Sequence, residues 1–226
     1  GSFVSESAAV ECIHGLRSAG FEPRCIELID AYSASLVDFP LAQGVVLMIE
    51  FDGSEAAVSA EIDRLLAVRS ATEWVTARDD KNRRDLWAKR KNISPDIKRR
   101  FAYRLGEDVA VPLTSLAAVC ASARRHAAEQ GVEVAIWGHA GDGNLHVNYL
   151  LEAAAQVPKL DTLMRELAFE VTRAGGAMSG DHGLGRLKRK YAREVLPAYH
   201  FDMQRKIKAA FDPQMLFNPA LEIDEP

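Results

Sequence analysis

Two histidines, His139 and His146, flank Asp142-Gly143 in the segment Trp137 to Tyr149, W-G-H-A-G-D-G-N-L-H-V-N-Y. Asp-Gly between strand-like residues predicts a β-hairpin, because a two-residue type I′ turn needs φ > 0 at both centres. With those two residues as the turn, His139 stands opposite His146, Cβ atoms about 4.5–5.5 Å apart, close enough for two imidazoles to share one metal ion. The same register groups Trp137, both histidines and Asn148 on one face and Ile136, Leu145, Val147 and Tyr149 on the other. The polar face reads as a site wall; the chemically inert alternative is two half-buried histidines bonded to backbone. A stable zinc site needs at least one more ligand.

Asp181-His182 can supply it, within G-G-A-M-S-G-D-H-G-L-G-R-L-K-R-K from Gly175 to Lys190. This loop departs from G-x-G-x-x-G, because His182 occupies a glycine position. It departs from the Walker pattern, because Arg186-Leu187 stands where Lys-Ser/Thr belongs. A carboxylate and a neutral imidazole between glycines suit metal ligation or proton abstraction, and a surface turn with incidental charge is the alternative. Arg90, in W-A-K-R-K, offers a guanidinium of the kind that grips carboxylates. The rest of the stretch from Arg78 to Arg104, with eleven basic and four acidic residues, reads as a solvated face.

These groups need a scaffold, and the patterning supplies one. Helices are predicted from Ser5 to Ser18, from Glu55 to Val68 with Ser54 as N-cap, and from Arg78 to Lys91 with a break near Ser94-Pro95. Further helices are predicted from Pro112 to Glu129, Val157 to Ala174, Arg186 to Val195 and Tyr199 to Phe211. Strands are expected at Arg24 to Ile29, Gly44 to Phe51, Glu73 to Thr76, Val109 to Val111, Val132 to His139 and Asn144 to Leu151. No internal repeat is visible. The alternation predicts an α+β fold: a ferredoxin-like antiparallel sheet with helices packed on one face, followed by C-terminal helices. Residues 3–176 would form this unit and 177–226 the glycine-rich loop and terminal helices; Gly1-Ser2 has the form of a tag remnant.

Composition bounds the function. The 226 residues, 48% hydrophobic and 27% charged, describe a soluble globular chain, and a net charge of -4 argues against a generic polyanion binder. Cys12, Cys25 and Cys120 form no CxxC pair, which indicates a reducing, cytoplasmic setting, and no apolar run is long enough to span a bilayer, so any membrane association would be peripheral. An RNA-binding sheet would show a stripe of stacking aromatics, and none is present; a free-standing metal hydrolase would need a nucleophile or oxyanion device that is not evident.

Three motifs in order, G-H-A-G-D-G-N-L-H-V-N, S-G-D-H-G-L-G-R-L-K and F-D-P-Q-M-L-F-N-P, resemble the C-terminal half of FAD-linked 2-hydroxy acid dehydrogenases. That group includes D-lactate dehydrogenases, the glycolate oxidase flavin subunit and D-2-hydroxyglutarate dehydrogenase, flavoproteins of the vanillyl-alcohol oxidase type. L-W-A-K-R-K and C-I-E-L-I-D extend the likeness over nearly the whole chain. The resemblance implies a substrate-binding cap whose FAD is held mainly by an N-terminal half, expected on the same polypeptide. It implies His139, His146 and Asp181 as ligands of a divalent metal such as Zn or Mn, Asp181 standing where the family has a longer Glu. It implies His182 as general base, Arg90, Ser94 and Asn148 as contacts to a small 2-hydroxy acid, and Asn218 as a residue returning to the flavin domain. Nucleic acid is not an expected partner; an electron acceptor and a homodimer are.

Overall fold

The computed structural model describes residues 1–41, 43–68, 71–77 and 79–219. Its strands are β1 (Ser2–Phe3), β2 (Cys25–Ile29), β3 (Val45–Glu50), β4 (Tyr103–Ala110), β5 (Glu133–Gly138) and β6 (Asn144–Leu151). Its helices are α1 (Glu6–Ser18), α2 (Ala31–Leu36), α3 (Glu55–Ala67), α4 (Asp80–Arg100), α5 (Leu116–Glu129), α6 (Lys159–Arg173), α7 (Arg189–Val195) and α8 (Ala198–Phe211). All six strands form one antiparallel sheet in the order β1-β3-β2-β5-β6-β4.

The order contains a duplication that the sequence does not display. β1-α1-β2-β3 and β4-α5-β5-β6 have the same topology, each placing its third strand between its first two, and α3 and α6 follow them. Each half thus carries βαββα of the ferredoxin-like unit, and β2 and β5 join the halves at the centre.

One face of the sheet builds the main core. Ile26, Leu28, Leu47, Val109, Ile136, Leu145, Val147 and Tyr149 pack against Ile13 and Leu16 of α1, Leu116 and Val119 of α5, and Leu163 and Leu167 of α6. This is the expected helix layer. The opposite face is also covered over part of its area: Ile29, Val46, Ala135, Trp137 and Leu150 pack beneath Ala34 and Leu36 of α2 and Ile93 and Ile97 of α4.

Those two helices are where the sequence reading departs most from the structure. α2 was absent from it; Asp30 caps this helix, accepting from the N–H of Ser33 at 2.6 Å. The break expected near Pro95 does not occur, because α4 runs through it to Arg100. An internal proline costs about 3 kcal/mol. Ile93 and Ile97, one turn apart and fully buried, offset this with about 1.5–3 kcal/mol each. β4 is longer than the expected Val109 to Val111, and the strand expected at Glu73 to Thr76 reduces to a single bridge between Ser2 and Glu73. Arg78 lies outside the described residues.

The seam between the halves is short, with Leu28 opposite Gly138 and Ile29 opposite Trp137. Asp30 extends it. Its N–H donates to the carbonyl of Ile136 at 2.9 Å, and its Oδ2 accepts from the N–H of Ile136 at 2.8 Å and from Nη2 of Arg124 at 2.9 Å. The carboxyl group is fully buried, so desolvation pushes its pKa up while the Arg124 charge and the N–H donors oppose that shift. Removing one member of such a pair leaves the other uncompensated. Asp30→Ala is therefore expected to lower unfolding stability by about 3–5 kcal/mol in urea denaturation, and an unchanged midpoint would refute this role.

Candidate functional site

The β5–β6 hairpin presents the expected residues, but with a different turn. His146 faces Trp137, not His139. Only Gly143 of the Asp142-Gly143 pair has positive φ, at 83°, so a type I′ turn cannot form. The carbonyl of His139 instead accepts from the N–H groups of Asp142 and Asn144, both at 3.2 Å. The loop is also tied to its surroundings, Gly141 donating to the carbonyl of Ile26 at 3.0 Å and Gly143 accepting from Val111 at 2.9 Å. The shift is two residues, so side-chain parity is unchanged. Trp137, His146 and Asn148 remain on the face opposite the apolar set, and the rings of His139 and His146 still approach to 5.8 Å between centroids.

A buried carboxylate organises the β2 side. Glu27 is 1% exposed; its Oε1 lies 2.5 Å from Nδ1 of His139, and its Oε2 lies 2.7 Å from both Nε and Nη2 of Arg90. Arg90 thus reaches the sheet from α4 already ion-paired. Ser94 lies one turn further along α4, half-buried.

A second buried carboxylate organises the β4 side. Asp108 stands opposite His146, with Oδ1 at 3.9 Å from the ring Nδ1. It accepts from Nδ2 of Asn144 at 2.7 Å and from the backbone N–H groups of Asp181 at 2.9 Å and His182 at 3.3 Å. Burial raises its pKa, but those donors and the nearby His182 outweigh it and hold the carboxyl group at about 2. This docking brings the glycine-rich loop over the hairpin. The His182 ring stacks on His146 at 6.3 Å and 22°, and Asp181 Oδ1 lies 3.3 Å from His182 Nε2. Buried Lys188 holds the loop's far end, donating to the carbonyls of Asp108 at 3.0 Å and Met178 at 2.8 Å, with Glu107 Oε2 at 2.8 Å.

The structure therefore brings His139, His146, Asp181, His182 and Arg90 into one neighbourhood. Asn148 is buried on β6 opposite Gly106, on the same face as His146. Asn218 is exposed in the segment after α8 and, among the described residues, makes no hydrogen bond to the cluster. Among the described residues, the group whose ligand atoms all lie within 4.8 Å of one another is Asp108, Asp181 and His182; of the expected ligands His139, His146 and Asp181 it contains Asp181 alone, and the two other histidines stand beside it.

This donor set suits a divalent cation. It offers imidazole nitrogens and carboxylate oxygens, and His139 has the carboxylate partner on one ring nitrogen that typically orients a metal-binding histidine. Burial, reinforced by the Arg90 charge, lowers the pKa of His146 and so favours the neutral imidazole that can ligate.

Sequence reasoning missed Glu27 and Asp108. Glu27 carried a signal: it is the sole acid in the apolar strand C-I-E-L-I, and a buried charge requires a partner. Asp108 carried none, since it follows Glu107 at the end of a highly charged stretch.

Two substitutions test this architecture. A Cβ on Gly180 would lie 2.0 Å from Nδ2 of Asn144 and 2.7 Å from Oδ1 of Asp108. Gly180→Ala should detach the loop from Asp108, seen as faster amide exchange at Asp181 and His182 while β6 stays protected. Glu27→Ala leaves Arg90 buried without its counter-charge and should cost about 3–5 kcal/mol in denaturant unfolding.

Comparison with known proteins places this site in context. Residues 2–221 match the family model described as FAD linked oxidases, C-terminal domain. The chain is 30% identical over 241 residues to the glycolate oxidase subunit GlcD of Escherichia coli (strain K12), covering 98% of the chain and 47% of that protein. It is 29% identical to the D-2-hydroxyglutarate dehydrogenase of Xanthomonas citri pv. viticola, covering 88% and 44%. It is 27% identical to the mitochondrial D-lactate dehydrogenase [cytochrome] 1 of Saccharomyces cerevisiae, covering 96% and 40%. The chain thus spans less than half the length of these relatives. Among solved structures, p-cresol methylhydroxylase aligns with a TM-score of 0.67 at 12% identity, covering 94% of this chain and 50% of that one. The 4-ethylphenol oxidase from Gulosibacter chungangensis aligns at 0.59 and 15% identity, with the same coverage. These structural likenesses speak to the fold.

Proposed function

The chain belongs to the family of FAD-linked oxidase C-terminal domains, and from that premise we propose that it forms the substrate side of a flavoenzyme. The reaction is oxidation of a D-2-hydroxy acid, of the D-lactate, D-2-hydroxyglutarate or glycolate class, to the 2-oxo acid. The observation that carries this reading is the convergence of His139, His146, Asp181 and His182 beside Arg90 on one sheet face. FAD is held mainly by an N-terminal half of the kind that accounts for the relatives' additional length, with Asn218 on the segment that returns to it.

When bound, a divalent metal such as Zn or Mn would supply Lewis acidity at the substrate hydroxyl, and FAD would supply the hydride acceptor. His139, His146 and Asp181 hold the metal, with Glu27 fixing the His139 ring through Nδ1. Asp181 is one methylene shorter than a glutamate, and the docking of its backbone N–H on Asp108 brings the loop in close. Arg90 engages the substrate carboxylate through Nη1, because Nε and Nη2 are committed to Glu27. Asn148 and Ser94 line the substrate. His182 takes the hydroxyl proton on a ring nitrogen, with the Asp181 and Asp108 carboxylates beside it.

No helix among the described residues is long and apolar enough to cross a membrane. We place the enzyme in the cytoplasm or peripherally on a membrane, as a homodimer passing electrons to an acceptor outside this chain.

Two measurements test the reading. Elemental analysis after exposure to zinc and manganese should find about one metal per chain, lost in His146→Ala. In the full-length flavoprotein, anaerobic mixing with a D-2-hydroxy acid should bleach the flavin, and His182→Ala should slow bleaching by about 10²–10⁴-fold. If neither D-lactate, glycolate nor D-2-hydroxyglutarate reduces the flavin, the assignment is wrong.

A further inference from the structure

The charges on the site face are not equivalent. Arg90 is neutralised by Glu27, which is buried with it. Strand alternation puts Arg104 and Gly106 on the same face as Asp108, opposite Leu150, Asn148 and His146 respectively. Arg104 is half-buried and, among the described residues, forms no ion pair.

Gly106 determines where this cation lies. A Cβ built there would sit 2.5 Å from Oδ1 of Asn148 and 3.6 Å from Nη1 of Arg104. The guanidinium therefore folds back along β4 into the space that a larger residue would take, beside the Asn148 amide. Gly106 is itself exposed, so this corner is open to a ligand. Adjacent same-face positions on a strand are about 7 Å apart. The Arg104–Asn148 corner accordingly lies about one such step from the His146–Asp108 pair, where the reacting end of a substrate is placed under the function proposed above.

A two- or three-carbon hydroxy acid anchored at the histidines ends before that corner. A five-carbon diacid, with carbon–carbon bonds of about 1.5 Å, extends about 5 Å from C1 to C5 and brings its second carboxylate to it. We propose that Arg104, with Asn148, is the specificity-determining pair that receives a distal carboxylate, making the preferred substrate class a dicarboxylic 2-hydroxy acid. The arrangement offers the Arg104 guanidinium to one anion, with the Asn148 side chain lining the same corner, and an uncharged substrate side chain cannot use that charge. This assignment rests on the 2-hydroxy acid reading and narrows it.

The test is steady-state kinetics of the full-length flavoprotein with D-2-hydroxyglutarate and D-lactate, in the native sequence, Arg104→Gln and Arg104→Lys. The native protein should favour the diacid in kcat/KM. Arg104→Gln should lower the diacid-to-lactate ratio about 10–100-fold, chiefly through KM, and Arg104→Lys should recover part of it. A purely structural role for Arg104 would depress both substrates together and leave the ratio unchanged, which would overturn the assignment. A native preference for D-lactate would overturn it as well. A protein inactive on both acids and on glycolate would instead remove the underlying 2-hydroxy acid reading, and this proposal with it.

Discussion

The arrangement of this molecule depends on a seam of two residue pairs. Among the described residues, β2 and β5 are the strands that join the duplicated halves of the sheet, and their paired residues are Leu28–Gly138 and Ile29–Trp137. So short a ladder would be weak if backbone bonds were its whole content. The buried carboxylate of Asp30 lengthens it with a side-chain acceptor, while Arg124 and the first turn of α2 are drawn onto the same group. Three residues earlier, Glu27 spans the same seam to reach His139. Because Glu27 also binds Arg90, the position of α4 over the sheet and the orientation of a site histidine are set by a single side chain.

Asp108 plays the matching part on the far side. It gathers two backbone N–H groups of the glycine-rich loop and the Asn144 amide of the hairpin, so two segments distant in sequence are registered against each other by one acceptor. Lys188 repeats the device from below, with its ammonium shared between two carbonyls and Glu107. His139 and His182 are thus carried on loops, His146 on a strand, and all three are tied to carboxylates of the sheet, which suits groups that must meet a substrate without drifting.

Much of this was legible in the sequence, for identifiable reasons. Strand side chains alternate strictly, so the division of the hairpin into an apolar and a polar face survived an incorrect turn: an error of two residues does not change parity. The turn itself was misread because Asp-Gly is a local signal, whereas the loop conformation answers to Ile26 and Val111, which are remote in sequence. Pro95 was misread for a similar reason, since its local cost is offset by burial of Ile93 and Ile97 against a sheet that lies elsewhere in the chain. His139, His146, Asp181 and His182 were identifiable from their type and spacing. Glu27 and Asp108 were not singled out: the first shows itself only as the sole acid of an apolar strand, and the second is masked by the charged residues that precede it.

The face opposite the main core meets two demands that usually conflict. Part of it, Ile29 and Val46 of the first half with Ala135, Trp137 and Leu150 of the second, is sealed by α2 and α4. The rest is left to Glu27, Asp108, His146 and Asn148, groups that are costly to desolvate. One part acts as ballast, and the other carries an energetically expensive surface. Sequence drift should therefore have unequal consequences across a single face, eroding persistence of the fold at its covered end and the range of molecules it accepts at the other.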